Sequence, residues 1–199
     1  MEQVICDGFQ RWKRKAAQAL LNRGLLLCLV VGLGLGADPA LFCQETNGPL
    51  EYQVKAAFLL NFTKFIEWPP SAFQQADSPV SICILGVDPF GAGLDQMLSG
   101  EVVSGRKVVA RRIKSAPPPK ACQALFVSGQ EKDAAKSLPG LGSGVLTVGE
   151  GEAFIRDGGM IAFVIENRRV RFEINQATAE NAGLKLSSKL LSVAKQVNQ

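Results

Sequence analysis

Two rhythms of apolar residues run along this chain, and the change from one to the other falls at its prolines and glycines. Glu51 to Trp68 reads EYQVKAAFLLNFTKFIEW, in which Val54, Ala57, Phe58, Phe62, Phe65 and Ile66 make a wide helical face. Pro69 and Pro70 cannot continue a helix, so it stops at or before Trp68. Val80 to Gly86 (VSICILG) is short, apolar and β-branched, the pattern of a buried strand, and Leu94 to Leu98 reads as a helix. Lys107 to Ile113 and Ala124 to Ser128 are further strands, separated by the loop at Pro117-Pro118-Pro119. A short helix over Glu131 to Leu138, a strand at Val145 to Val148 and a helical turn at Glu152 to Arg156 follow. Met160 to Glu166 is nearly all apolar, as a strand covered on both faces is. After a tight turn at Asn167-Arg168, Arg169 to Asn175 alternates strictly, with Val170, Phe172 and Ile174 on one face. Two helical pieces close the chain, Gln176 to Asn181 and then Leu186 to Val197 with the stripe Leu186, Leu190, Val193, Val197. Strands alternating with helices predict an α/β domain: a mostly parallel sheet flanked by helices, three-layer and Rossmann-like, with a C-terminal antiparallel hairpin closing one edge and terminal helices.

The first forty residues break this pattern. Arg11 to Lys15 (RWKRK) is basic and Gly24 to Gly36 carries no charge, the n-region and h-region of a secretory signal. Thirteen apolar residues containing four glycines fall short of the roughly twenty that cross a bilayer as a helix, so no stable membrane insertion is expected after cleavage. The exit from the apolar run offers cleavage after Ala37 or after Cys43, and the expected organisation is a signal peptide at 1–43, a linker at 44–50 and a domain at 51–199. The expected compartment is the periplasm.

Removing the signal changes what charge and cysteine usage imply. Positions 44 to 199 hold 17 Lys and Arg against 15 Asp and Glu, so the domain is near neutral and shows no electrostatic footprint for nucleic acid. Only Cys83 and Cys122 remain, and in an oxidising compartment they read either as one bridge or as two separate buried thiols. The chain contains no histidine, which removes Ser-His-Asp and Cys-His catalysis and the commonest ligand for zinc. No catalytic residue, cofactor or metal site is expected, and the protein is read as a non-enzyme.

Several local patterns carry a functional and a plainer reading. The loop Gly86 to Gly93 (GVDPFGAG) follows the first strand, where α/β folds bind anions, so Gly86, Gly91 and Gly93 form an alternative ligand site; a structural turn is the simpler account. Glu150 and Glu152 flank a glycine and could pair as acid and base, or be a solvated loop. Arg168, Arg169 and Arg171 beside Glu166 and Glu173 read as the polar face of an edge hairpin, or as a partner surface. Trp68 is a core residue or an interface anchor.

Three segments, YQVKAAFLLNFTKFIEWP from Tyr52 to Pro69, MIAFVIENRRVRFEIN from Met160 to Asn175 and AGLKLSSKLLSVA from Ala182 to Ala194, together resemble the YfiR-like family of periplasmic proteins. The resemblance covers nearly the whole domain. It implies a repressor that binds the periplasmic sensing domain of an inner-membrane diguanylate cyclase and holds down cyclic di-GMP synthesis; a homodimer is expected. It also implies an internal disulfide, which Cys83 and Cys122 would supply. The alternative function is a periplasmic binding protein for a small ligand or anion.

Overall fold

The computed structural model describes residues 48–129, 138 and 140–199. The expected signal peptide, the first part of the expected linker and the expected helix over 131–138 lie outside the described residues, apart from Leu138.

Eight strands form one sheet, built from β2 (Val80–Leu85), β3 (Val102–Val103), β4 (Arg106–Ile113), β5 (Ala124–Val127), β6 (Leu146–Glu150), β7 (Ile161–Glu166), β8 (Arg169–Asn175) and β10 (Gln196–Asn198), in the order β10-β8-β7-β6-β5-β2-β4-β3. From β4 to β7 every pairing is parallel. β7 and β8 form the antiparallel hairpin, with Ile161 opposite Ile174 and Glu166 opposite Arg169. The mixed α/β class, the mostly parallel sheet and the hairpin therefore agree with the sequence pattern. The hairpin does not close the edge, however, because β10 adds in parallel outside β8, with Gln196 opposite Glu173.

Two corrections follow at the chain's helices. The first, α1 (Gly48–Phe65), takes in the last three residues of the expected linker, since Pro49 is tolerated in a first turn. It ends before Ile66 because β1 (Ile66–Glu67) pairs with β9 (Lys185–Leu186) in a separate two-stranded sheet. The expected last helix over Leu186 to Val197 is cut to α5 (Ser188–Val193), with α2 (Ala92–Leu98), α3 (Glu152–Arg156) and α4 (Gln176–Asn181) between. Ser187 caps α5 by accepting from the Leu190 N–H, and Ala194 turns extended and releases the chain into β10. Of the expected stripe only Leu190 is fully buried, and Val193 faces water.

Among the described residues the sheet divides the core unequally. One face carries Val80, Ile82, Ile84, Phe126, Val148, Phe163 and Phe172 beneath α1, α2 and the C-terminal elements. Phe62 and Phe172 meet edge to face there at 5.1 Å. The other face carries Cys83, Leu85, Leu125, Val127 and Ala162, covered by Leu141, Val145 and the single turn of α3. Phe154 of α3 lies so close that a Cβ at Gly149 or Gly159 would overlap its ring.

The crossover from β4 to β5 on this thinner side has no helix to bury, and two devices fix it instead. Cys122 is disulfide-bonded to Cys83 in the middle of β2, with Cα atoms 5.8 Å apart and both residues buried. Gln123, 1% exposed, then works as a hub. Its Oε1 accepts from the Ser81 N–H at 2.9 Å and its Nε2 donates to the Ala72 carbonyl at 2.7 Å. Its own carbonyl accepts from the Trp68 indole at 3.0 Å and from the Leu146 N–H at 2.8 Å. One residue, through its side chain and its own carbonyl, thereby ties the Pro70–Ala72 turn, β2, β5 and β6 together.

Gln123→Ala strands two buried backbone groups and should cost about 2–3 kcal/mol in urea unfolding. The double change of Cys83 and Cys122 to Ser should cost up to about 4 kcal/mol, the chain-entropy value for the 39-position link. Thiol reagents should label the reduced native protein only once denaturant is present; rapid labelling without it would contradict the burial.

Candidate functional site

The parallel strands run in the spatial order β4-β2-β5-β6-β7, so the direction of winding reverses between β2 and β5. In open α/β sheets the crevice outside the carboxyl ends of such a pair is where ligands bind. β2 ends there in Gly86 to Phe90, β5 in Ser128 and Gly129, and β6 in Glu150. The first turns of α1 lie over them.

What fills this edge is a charged cluster from α1 and β6. Lys55 is 4% exposed, and its ammonium is ion-paired with both Glu150 and Glu51. It also stands 4.4 Å from the centre of the Tyr52 ring. Tyr52 Oη donates to Glu150 Oε1 at 3.1 Å, while the Gly129 N–H donates to Glu150 Oε2 at 3.0 Å. Burial alone pushes the Lys55 pKa down, but hydrogen bonds to Glu150 and Glu51 overcome it and hold the ammonium above its ordinary range. Burial, joined by the Glu150 charge, raises the Tyr52 phenol. Both groups are held in their protonated forms at neutral pH, and Tyr52 Oη, Lys55 Nζ and both Glu150 carboxylate oxygens have partners within the protein.

Glu150 is thus part of a buried ion pair and not of a solvated loop, and it makes no acid and base pair with Glu152. The latter is exposed, with Lys195 Nζ 4.0 Å away. Lys55 was missed in the sequence because a lysine amid AAFLL reads as the polar side of a helix. The buried face of α1 is Lys55, Ala56, Leu59, Leu60, Phe62 and Thr63, rotated from the expected one, and Val54 and Phe65 are each 38% exposed.

The glycine loop is likewise satisfied from within. Gly86 donates to the Ile113 carbonyl at 3.1 Å. Asp88 Oδ1 accepts from the Phe90 and Gly91 N–H groups at 2.8 and 3.2 Å, taking the amides that an anion would use. Arg112 grips Asp88 Oδ2 at 2.8 Å, Asp95 Oδ1 at 2.6 Å and the Gly91 carbonyl at 2.9 Å. That hydrogen bond holds the Asp95 carboxyl below its usual range. Gly91 and Gly93 border an open cleft of about 620 Å³ with Tyr52, Phe90, Leu94 and Met97. The loop is a braced turn.

The partner candidates separate. Trp68 is half-buried against the main core and spends its indole N–H on Gln123. Arg168, Arg169 and Arg171 are exposed on the hairpin, and among the described residues none pairs with a carboxylate. Asn167 and Arg168 both have positive φ, +50° and +60°, as a two-residue hairpin turn requires. Arg168 and Arg169 rim a groove of about 410 Å³ between the hairpin tip and α1. Its walls include Leu50, Val54 and Ile165, exposed by 67%, 38% and 55%, with Phe58 and Val170 below. Among the described residues, three of the seven large apolar side chains that face water are gathered here, which is the kind of patch that marks a contact surface.

The fold and these surfaces define a mostly parallel α/β domain with an internally ion-paired carboxyl edge and an apolar groove beside its hairpin. Residues 52–195 match the YfiR/HmsC-like family, and the chain belongs to that family. Membership supports a periplasmic regulatory role in the family's sense. No curated protein matches the chain. Among solved structures, a conserved domain protein from Vibrio cholerae O1 biovar El Tor str. N16961 is similar over 74% of this chain and 60% of that one, at 9% identity and a TM-score of 0.46. The ABC domain in complex with L-Trp from Streptococcus pneumonia is similar over 59% of this chain and 55% of that one, at 15% identity and a TM-score of 0.38. The chain spans less than two thirds of the length of either. No helix among the described residues is long and apolar enough to cross a membrane.

Lys55→Met leaves Glu150 beside apolar surface without its cation and should cost about 3 kcal/mol. Because the folded pKa values of Lys55 and Tyr52 both lie above their ordinary values of 10.5 and 10.0, their contribution is complete below about pH 10 and is lost as pH rises further. Urea midpoints from pH 8 to 11.5 should fall for the native chain and fall less for Lys55→Met; parallel curves would contradict the coupling.

Proposed function

We propose that this protein is a non-enzymatic periplasmic regulator that binds and represses a membrane signalling protein, the periplasmic sensing domain of an inner-membrane diguanylate cyclase. The observation that carries the reading is the family match across 52–195, together with the three expected segments at its two ends and hairpin. The contact surface we assign is the groove of Leu50, Val54, Phe58 and Ile165 with its arginine rim. A repressor of this kind works by binding the inactive form of its target more tightly than the active form, and release lets the active form repopulate. The groove suits that task because apolar walls supply affinity while Arg168 and Arg169 steer an acidic partner into register.

Deleting the gene should raise cyclic di-GMP and biofilm formation, and the native chain should restore both to the starting level. Ile165→Asp should fail to restore them. So should Arg168→Gly, which relieves a non-glycine residue of positive φ and should leave stability unchanged or raise it by up to about 1 kcal/mol. Loss of repression in a chain at least as stable as the native one separates recognition from folding. Unchanged cyclic di-GMP on deletion, with no membrane protein cross-linked through position 165, would overturn the proposal.

A further inference from the structure

At the side of the sheet remote from the hairpin, β4 is covered over only half its length. β3 places Val102 opposite Lys107 and Val103 opposite Arg106. The Glu101 carbonyl then accepts from the Val108 N–H at 3.0 Å, and the cover ends. The direction of the remaining groups follows from the ladder. Ile113 gives its carbonyl inward to Gly86 on the β2 side, at 3.1 Å, whereas Val108 gives its N–H outward. Backbone groups of a strand alternate in direction, so Ala110 and Arg112 point both N–H and C=O away from β2. Among the described residues these four groups have no hydrogen-bond partner.

The side chains along this edge are unevenly committed. Arg112 is held by Asp88 and Asp95. Arg106 donates to the Ser78 carbonyl at 2.7 Å and stacks 3.8 Å over Phe73. The nearby acids are spent as well, Asp95 on Arg112 and Glu101 on Lys64 at 2.8 Å. Lys107 and Arg111 are exposed, four positions apart and so on the same face of β4. Neither has a carboxylate partner among the described residues. Val102, 56% exposed, borders an open cleft of about 430 Å³ that runs past Val108 and Ala110.

We infer that the open edge of β4 takes up an extended acidic segment of a partner protein as an added strand. The segment's backbone pairs with Ala110 and Arg112, and its carboxylates meet Lys107 and Arg111. Charge decides the occupant: a second copy offering the same edge brings like cations together, which is how edge strands are guarded against their own kind. An acidic strand gains from the same two charges, so one feature repels self-pairing and selects a partner. The groove at the hairpin is not involved, and the two surfaces can fail independently.

A short capped peptide alternating Glu with Val and Thr, and its counterpart with Lys in place of Glu, test this on the full domain. Hydrogen exchange at the Ala110 and Arg112 amides should slow by about tenfold or more with the Glu peptide, and binding should weaken as salt rises. Arg111→Glu should weaken binding by about tenfold. Ala110→Pro, which removes an outward donor while sparing the ladder to β2, should abolish it. The exposed Arg111→Glu change keeps the test decisive should the proline variant not fold. Unchanged exchange at saturating Glu peptide, equal binding of the Lys peptide, or occupation of this edge by a second copy in solution would each overturn the inference.

Discussion

The position of α1 over the sheet depends on one buried ammonium. Lys55 cannot be taken out of water without acceptors, and those that satisfy it come from its own helix at Glu51 and from the end of β6 at Glu150. That requirement sets the rotation of α1 about its axis, because the side chain must reach the carboxyl edge of β6. Once it does, Leu59, Leu60 and Phe62 fall onto the sheet and Val54 and Phe58 are turned towards the hairpin. The apolar groove is therefore a by-product of the Lys55–Glu150 pair, neither member of which lines it. Buried pairs add little net stability over apolar replacements, but they punish wrong arrangements severely, and specificity of register is what this one supplies.

A related economy governs the carboxyl edge. A doubly wound sheet leaves a crevice at its reversal point, and in this chain Tyr52, Lys55 and Glu150 occupy the neighbourhood with mutually satisfied groups while Asp88 fills the amides of the adjoining loop. At the fold position that serves other proteins for small ligands, these polar groups are bonded to one another beside an open cleft. The two surfaces proposed for recognition lie instead at the lateral margins of the sheet, the hairpin groove on one side and the half-covered β4 on the other.

Much of the architecture was legible because its signals are long and unambiguous. VSICILG and MIAFVIE have too few polar residues for anything but covered strands, and RVRFEIN alternates too strictly to be helical. The elements missed, β1, β3, β9 and β10, span two or three residues each and are defined by partners far away in the chain, so no local period announces them. Cys83 and Cys122 stood out because the other cysteines fall in the expected signal region. Gln123 did not, since a single glutamine before ALFV looks like a strand boundary and its five hydrogen bonds join it to residues 68, 72, 81 and 146. The arginines of the hairpin were visible as charges, but the groove they rim was not, because Leu50 and Val54 come from the opposite end of the domain.

The outermost strand carries a consequence for the order of assembly. Among the described residues β10 has no hydrogen-bonding strand neighbour other than β8, and Lys195, just before it, is anchored by Glu173 of β8 at 3.0 Å. Neither can be in place until the hairpin is closed. The parallel strands must in turn wait for their crossovers, since each closes a long loop before any ladder bond repays it. The local hairpin is thus the template on which β10 sets, and the flank of β8 stays unpaired until residues 196–198 dock on it.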